Sequence, residues 1–354
     1  MERPTLRWGI IGTGLISSWF VADLLLQRDD AKATHIIQAI GASSEAKAKA
    51  FAQRHAPGTN ASVYGSYDAV YADPLVDIVY IGTPHAFHKE ACLKAVAHGK
   101  HVLCEKPFTL NCREADEVFE AARTKGVFVM EAVWTRFMPL VQHLLELIHH
   151  EKVIGDVHRI FCDFGLPIDV ANLPATSRLK NPELGAGSLL DIGIYSLTWG
   201  LLVLDDRIAG EASTPQVFSA QSISDDIDIA TAVILYYPQT GRQGILTSTL
   251  RVKTESVFAR IEGSEGTITI EGVAASAPSQ FTVIPRDPTA QPKVYRFPHI
   301  GKGFFYEADA VAQDIAAGRV ENAVMPWGET RRVMALMDGI RKRGGAHFPQ
   351  DRTD

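Results

Sequence analysis

The sequence predicts an α/β protein with an N-terminal lobe on a parallel sheet and a C-terminal α+β lobe on an open, mostly antiparallel sheet. Three observations carry this. The first third of the chain alternates apolar strand-like runs with helix-like segments, the order that covers a parallel sheet with helices on both faces. Its strands are uninterrupted apolar runs such as Ile78-Val79-Tyr80-Ile81, as expected of strands covered on both sides. Past about residue 150 the period switches to two, with turn residues such as Gly263-Ser264 between runs. A length of 354 residues fits two domains. The boundary is placed so that residues 1–135 form the first domain and residues 136–354 the second.

In chain order, strands are expected at Leu6 to Ile11, His35 to Ile40, Val76 to Ile81, His101 to Leu103 and Val127 to Met130. Helices are expected between them at Leu15 to Gln27, Glu45 to His55, Ala86 to Ala97 and Cys112 to Thr124. Val157 to Phe164 reads as the next strand and Ser188 to Leu204 as a buried helix. The period-2 runs are Val217 to Ser222, Ile229 to Tyr237, Gly244 to Leu250, Ser256 to Glu262, Gly266 to Ile270 and Gln280 to Ile284. Two helices close the chain, Tyr306 to Ala317 and Gly328 to Arg343, with Gly344-Gly345 as the stop.

Composition narrows the function. A net charge of -6 argues against a partner that is nucleic acid. No uninterrupted apolar run approaches the roughly 18 residues of a membrane span, so no membrane partner is expected. Met1-Glu2-Arg3-Pro4 leads straight into a strand pattern without a signal-peptide core, and a cytoplasmic protein is the expectation. The four cysteines, Cys92, Cys104, Cys112 and Cys162, form no CxxC pair, so neither a disulfide framework nor a zinc site is indicated.

Gly12-Thr13-Gly14-Leu15-Ile16-Ser17 joins the first strand to the first helix. In that context Gly12 permits a tight turn and Gly14 lets the backbone approach a pyrophosphate. The helix N-terminus, at Leu15 and Ile16, then offers unpaired amides and positive dipole to the anion. Ser17 takes the third glycine's place and is still small enough for close packing. This is the phosphate-binding turn of a Rossmann domain. NAD binders place an acid at the end of the second strand for the ribose hydroxyls, whereas this strand ends Ala42-Ser43-Ser44. Ser43 and Ser44 can donate to a 2′-phosphate and Lys47 adds charge, so NADP is favoured over NAD. Glu45 is the nearest carboxylate, and Ser44 also reads as a plain helix N-cap.

Further on come Gly82-Thr83-Pro84-His85, His88 and Cys104-Glu105-Lys106-Pro107. With the glycine turn, these closely resemble the Gfo/Idh/MocA oxidoreductase family, whose hallmark is the Glu-Lys-Pro tripeptide at a strand's end. The resemblance continues through Trp134-Thr135-Arg136-Phe137, Gly187-Ser188-Leu189-Leu190-Asp191-Ile192-Gly193-Ile194-Tyr195 and Met325-Pro326-Trp327. The Trp-Thr-Arg-Phe segment and Tyr195 look most like the branch of dimeric dihydrodiol dehydrogenases and fungal NADP-dependent D-xylose 1-dehydrogenases. Relatives that use NADP often carry Arg at the end of strand two, where this chain has Ser43.

The resemblance implies a Lys106–Pro107 cis bond, a cofactor lining of Thr83, Pro84, His85, His88, Glu105, Lys106, Trp134 and Arg136, and a homodimer formed through the sheet face. His85 and His88 have no evident third ligand, so no metal is expected. Lys106, at the carboxyl end of a parallel strand, can donate to a substrate hydroxyl and stabilise charge as the proton leaves. Tyr195 is the candidate base. Its phenol, with an ordinary pKa of about 10, needs a neighbouring ammonium and an oxidised nicotinamide to favour the phenolate. The pair therefore works only if Lys106 and Tyr195 converge. Asp191, four residues before Tyr195, orients a sugar hydroxyl or pairs with Lys106, and Trp134 and Phe164 are candidates to line the substrate site.

The expected reaction is oxidation of the anomeric hydroxyl of an aldose, with D-xylose going to D-xylonolactone. A trans-1,2-dihydrodiol, or another sugar or polyol, is the alternative substrate. A non-catalytic NADP-sensing regulator is the alternative of a different class, although a sensor has no need of a proton-transfer pair.

Overall fold

The computed structural model describes residues 3–351. They divide into two compact units, residues 3–137 with 299–330, and residues 138–298 with 331–351.

The first unit runs β1 (Thr5–Ile11), α1 (Leu15–Leu24), β2 (Thr34–Gly41), α2 (Glu45–His55), β3 (Ser62–Tyr64), α3 (Tyr67–Ala72), β4 (Ile78–Ile81), α4 (His88–Ala97), β5 (His101–Glu105), α5 (Cys112–Lys125) and β6 (Val129–Ala132). The six strands form one sheet in the order β3-β2-β1-β4-β5-β6, and every pairing is parallel. That order reverses direction between β1 and β4, the switch point at which such sheets bind ligands beyond their carboxyl ends. The central β4 and the edge strand β6 are buried along their whole length, which explains the continuous apolar run of β4. Local signals fix the helix ends: Asn111 accepts from Glu114 N at 3.0 Å to start α5, and Gly126 at φ 68° ends it in the left-handed conformation.

The second unit holds α6 (Pro139–Leu145), β7 (Val157–Gly165), a π-turn at Leu189–Gly193 leading into α7 (Ile194–Leu204), then β8 (Gln216–Ser224), β9 (Ile227–Tyr237), β10 (Arg242–Thr249), β11 (Val257–Gly263), β12 (Gly266–Ala274), β13 (Ala277–Pro285) and β14 (Lys293–Arg296). Its eight-stranded sheet has the order β14-β13-β12-β11-β7-β10-β9-β8. Only β7 and β10 pair parallel; the other neighbours are antiparallel. Every residue of α7 is buried, and it packs on β7 and β10. Pro182–Leu204 is apolar and long enough to cross a membrane by composition, and its most apolar window lies wholly inside the protein.

The chain then returns to the first unit with α8 (Phe304–Ala316), which packs on α1. Asp23 of α1 fastens it: the carboxylate accepts from the amides of Lys302, Gly303 and Phe304, at 2.7 Å from Gly303. A buried carboxylate at a helix N-terminus satisfies orphan amides and matches the helix dipole. α9 (Trp327–Gly344) ends at Gly345, φ +88°, and the division between units falls within it.

Candidate active site

The glycine turn has the geometry its sequence requires. Gly12 adopts φ +93°, and a Cβ there would lie 3.0 Å from the Gly82 carbonyl oxygen. A Cβ on Gly14 would meet nothing closer than that same oxygen at 3.9 Å, so open space lies over the start of α1. No side chain caps α1 and no acid stands in its first turn, which leaves the amides of Leu15 and Ile16 and the positive helix end for an anion. Ser17 is fully buried against Gly82, where a Cβ would come within 2.3 Å of its Oγ. Thr83 follows at the end of β4, its Oγ1 buried and without a hydrogen-bond partner among the described residues. Two glycines, an uncapped helix and an orphaned hydroxyl at a switch point fit a dinucleotide pyrophosphate.

At the end of β2, Ser43 and Lys47 pair, Nζ donating to Oγ at 3.0 Å. Ser44 accepts from Lys47 N at 3.4 Å and caps α2, so its two readings coexist. Glu45 is engaged with Lys49 at 2.5 Å, and that pairing holds its carboxyl below the ordinary value.

Glu105 and Lys106 end β5, and the Lys106–Pro107 bond is cis. The half-buried Lys106 adjoins a buried carboxylate network. Tyr80 donates its hydroxyl to Glu105 Oε1 at 2.6 Å, and Lys106 N donates to Oε2 at 3.3 Å. Burial, with the Glu105 charge beside it, holds the Tyr80 phenol well above its ordinary value. His88 ties two segments of the site together: its ring nitrogens lie 2.9 Å from Pro107 O and 2.8 Å from Thr83 O. Burial holds its imidazolium pKa down, and the neutral ring donates to one carbonyl at a time. His85 is buried with its ring 5.8 Å from that of His88. Among the described residues no group of three or more His, Cys, Asp or Glu is arranged to hold a metal.

Trp134 and Arg136 follow β6. Trp134 stacks on Phe304 of α8 at 4.4 Å. The Arg136 guanidinium is buried and pairs with Glu329 at 2.5 Å, with Val324 O as a further acceptor. Phe137 is buried. Glu131, on β6, accepts from Phe108 N at 2.9 Å, and burial pushes its carboxyl up to about 7. Glu307 of α8 is fully buried with neither oxygen hydrogen-bonded among the described residues. Burial, then the nearby Glu105 charge, hold its carboxyl well above the ordinary range.

The second unit brings together Asp191, Tyr195 and Phe164. Asp191 lies in the π-turn and Tyr195 is the second residue of α7. The Tyr195 and Phe164 rings are 5.8 Å apart at 54°, and both side chains are buried. Asp191 Oδ1 accepts from Arg178 Nη1 at 3.2 Å. Sequence reasoning passed over Arg178, which stands in an irregular loop with no periodicity to mark it.

Residues 6–133 match the family described as "Oxidoreductase family, NAD-binding Rossmann fold", and residues 141–269 match the Gfo/Idh/MocA C-terminal domain. The D-xylose 1-dehydrogenase (NADP(+)) of Hypocrea jecorina is 36% identical over 98% of this chain and 94% of its own. The chain belongs to the Gfo/Idh/MocA oxidoreductase family. Within that family it is also similar to the trans-1,2-dihydrobenzene-1,2-diol dehydrogenase of Sus scrofa, 34% identical over 98% of this chain and 99% of the other. Among solved structures, the 3-ketoreductase KijD10 of Actinomadura kijaniata shares the fold, with TM-score 0.79, 23% identity, and coverage of 96% of this chain and 97% of that one. The Gfo/Idh/MocA assignment thus spans both units, and the six-stranded parallel sheet is its NAD-binding Rossmann domain.

Proposed function

We propose that this oxidoreductase uses NADP to oxidise the anomeric hydroxyl of an aldose, with D-xylose the leading substrate and D-xylonolactone the product. The observation that carries the cofactor choice is the Lys47–Ser43 pair at the end of β2, where an NAD enzyme would hold an acid. The 36% identity to an NADP-dependent D-xylose 1-dehydrogenase supports the substrate.

Gly12, Gly14, Leu15 and Ile16 would hold the pyrophosphate, and Ser43, Ser44 and Lys47 the 2′-phosphate. Thr83, Pro84, His85, Glu105, Lys106 and Trp134 would line the rest of the cofactor, with His88 and Arg136 holding their segments in place. Bound NADP supplies the hydride acceptor. Tyr195, as phenolate, takes the proton of the anomeric hydroxyl. Lys106 donates a hydrogen bond to that oxygen and favours the phenolate by its charge. As C1 loses its hydride, the C1–O bond becomes a carbonyl and the sugar leaves as the lactone, with Tyr195 carrying the proton. Asp191, steadied by Arg178, accepts from a neighbouring sugar hydroxyl and fixes the ring. Such alignment is worth about 7–11 kcal/mol of a barrier at best.

Oxidation of a trans-dihydrodiol is the second reading, favoured by the aromatic face that Phe164 sets beside Tyr195 and by the dihydrodiol dehydrogenases among the relatives. Reduction of NADP by a panel of pentoses, hexoses and a benzene dihydrodiol separates the two. Turnover led by D-xylose is expected; turnover of the dihydrodiol alone selects the second reading. Tight NADP binding with no turnover of any polyol indicates a sensor and removes both.

A homodimer through the open sheet is part of this proposal. Phe218 of β8 and Ile234 of β9 are register partners and both stand exposed on that sheet. An apolar pair on an exposed sheet is the kind of surface a second copy covers. Sedimentation at micromolar concentration should give twice the chain mass, and a single-chain mass refutes it.

A further inference from the structure

The second unit contains a buried carboxylate that the mechanism above leaves without a task. Asp228, the second residue of β9, is fully buried. Its Oδ2 accepts three hydrogen bonds: from Ser188 Oγ at 2.7 Å, from Leu189 N at 2.7 Å and from Thr231 Oγ1 at 2.8 Å. Ser188 Oγ also lies 3.1 Å from Ser248 Oγ on β10, and Ser248 is the register partner of Thr231. The sheet therefore presents a small polar patch of Asp228, Thr231 and Ser248, and what sits on it is the start of one helical segment.

That segment is the one that matters for chemistry. Leu189 opens the π-turn that carries Asp191, and the π-turn runs without interruption into α7 and Tyr195. Helix starts leave amides without partners, and a local side chain commonly caps them. Here no local side chain does so, and Asp228 accepts from the Leu189 amide out of the sheet below. Two glycines let the backbone come this close. Gly187 has φ +142°, and a Cβ on it would fall 2.2 Å from Asp228 Oδ1; a Cβ on Gly193 would fall 2.8 Å from Ser248 Oγ. The other oxygen, Oδ1, is buried with no hydrogen-bond partner among the described residues. Burying a carboxylate with one oxygen unsatisfied is unfavourable, so stability alone does not account for its place. π-turns within helices also concentrate at functional sites.

We infer that Asp228 is a positioning residue, which fixes the start of the helical segment and so the places of Asp191 and Tyr195. The inference rests on the proposed role of Tyr195, and the test keeps the two separable.

The test measures kcat and KM for D-xylose, with the NADP dissociation constant, in the wild type, Asp228→Asn, Tyr195→Phe and the double variant. Asparagine keeps the size of the side chain but replaces one carboxylate oxygen with a donor. Asp228→Asn is expected to lower kcat by about 10–100-fold, since misplacement by about 1 Å costs on that order. NADP affinity, a property of the other unit, should stay within about twofold. The double variant should lose clearly less than the product of the two single losses, because groups that act as a unit are not additive. A merely structural role predicts losses that multiply, and that result, or a wild-type kcat in Asp228→Asn, overturns the inference. If Asp228→Asn does not fold, Ser188→Ala removes one donor and leaves the carboxylate. It should lower kcat in the same non-additive way, and an unchanged kcat or multiplying losses would again overturn the inference. If Tyr195→Phe itself keeps a wild-type kcat, the reading of Tyr195 falls and this one with it. A slow Tyr195→Phe beside a normal Asp228→Asn removes this one alone.

Discussion

Lys47 reaches back across the first turn of α2 and donates from Nζ to the Ser43 hydroxyl at 3.0 Å. The pair leaves an ammonium and a hydroxyl together at the end of β2, while Glu45 is drawn to Lys49. A carboxylate at position 43 would repel a 2′-phosphate and accept from the ribose hydroxyls of NAD. Ser43→Asp should therefore lower kcat/KM for NADP at least tenfold more than for NAD. Lys47→Ala should move the ratio the same way by a smaller factor. Steady-state kinetics with both dinucleotides check this, and equal losses would dissociate Ser43 from the phosphate.

Lys106→Ala should reduce kcat by roughly 10²–10⁴-fold, the range typical of a positioned proton-transfer or charge-stabilising group. NADP affinity should change far less, because the turn at Gly12 and the Ser43–Lys47 pair are untouched. Comparing single-turnover rates with titration of NADP separates the effects.

Gly12→Ala tests the turn itself. At φ +93° an alanine is strained, and its Cβ would press on the Gly82 carbonyl at 3.0 Å. The variant should lose about 1–3 kcal/mol of stability, as expected for a non-glycine residue held in a sparsely populated conformation. It should also bind NADP more weakly. Denaturant unfolding with and without NADP reads both effects.

Buried carboxyls set the pH dependence of stability. Burial raises Glu131 from 4.5 to about 7, against hydrogen bonds from Thr330 and the Phe108 amide, and raises Glu307 as well. A carboxyl with a raised pKa binds more protons folded than unfolded, so stability falls as pH climbs from about 4.5 through 7. Asp309 has the opposite sign. Burial acts to raise it, but hydrogen bonds from His35 at 3.0 Å and Arg28 at 2.7 Å outweigh that and hold it low. Its contribution is present above the ordinary carboxylate value of 3.8 and is lost as pH falls through its lower folded value. Glu131→Gln should flatten the decline between pH 4.5 and 7, as measured by thermal unfolding across that range.

Much of this was legible in the sequence because periodicity and turn chemistry are local. The strand–Gly12–helix signal, the six period-2 strands and the buried helix before Leu204 all stand where their patterns indicated. The cis Lys106–Pro107 bond follows the family resemblance. What was not legible is either too short or too distant. β3 has three residues, and β14 is a four-residue edge strand, mostly exposed, so neither shows a period. The first helix, expected to reach Gln27, stops at Leu24. The return of α8 to the first unit depends on Asp23 reaching amides nearly 280 positions away, and no window along the chain registers that. Glu307 and Arg178 carry no motif. Asp228 gave one signal, an acid between Ile227 and Ile229 at the head of an apolar strand, but its partner Ser188 is identifiable only once β9 is paired and α7 is packed.

The most direct measurement is the pH dependence of kcat for D-xylose oxidation with NADP in the wild type and in Tyr195→Phe. The account predicts that the phenylalanine variant loses at least about 100-fold, in line with removal of a general base, and that the limb titrating with the phenol disappears. A variant that keeps the wild-type rate and profile would contradict it, because the hydroxyl proton would then be leaving to some other group.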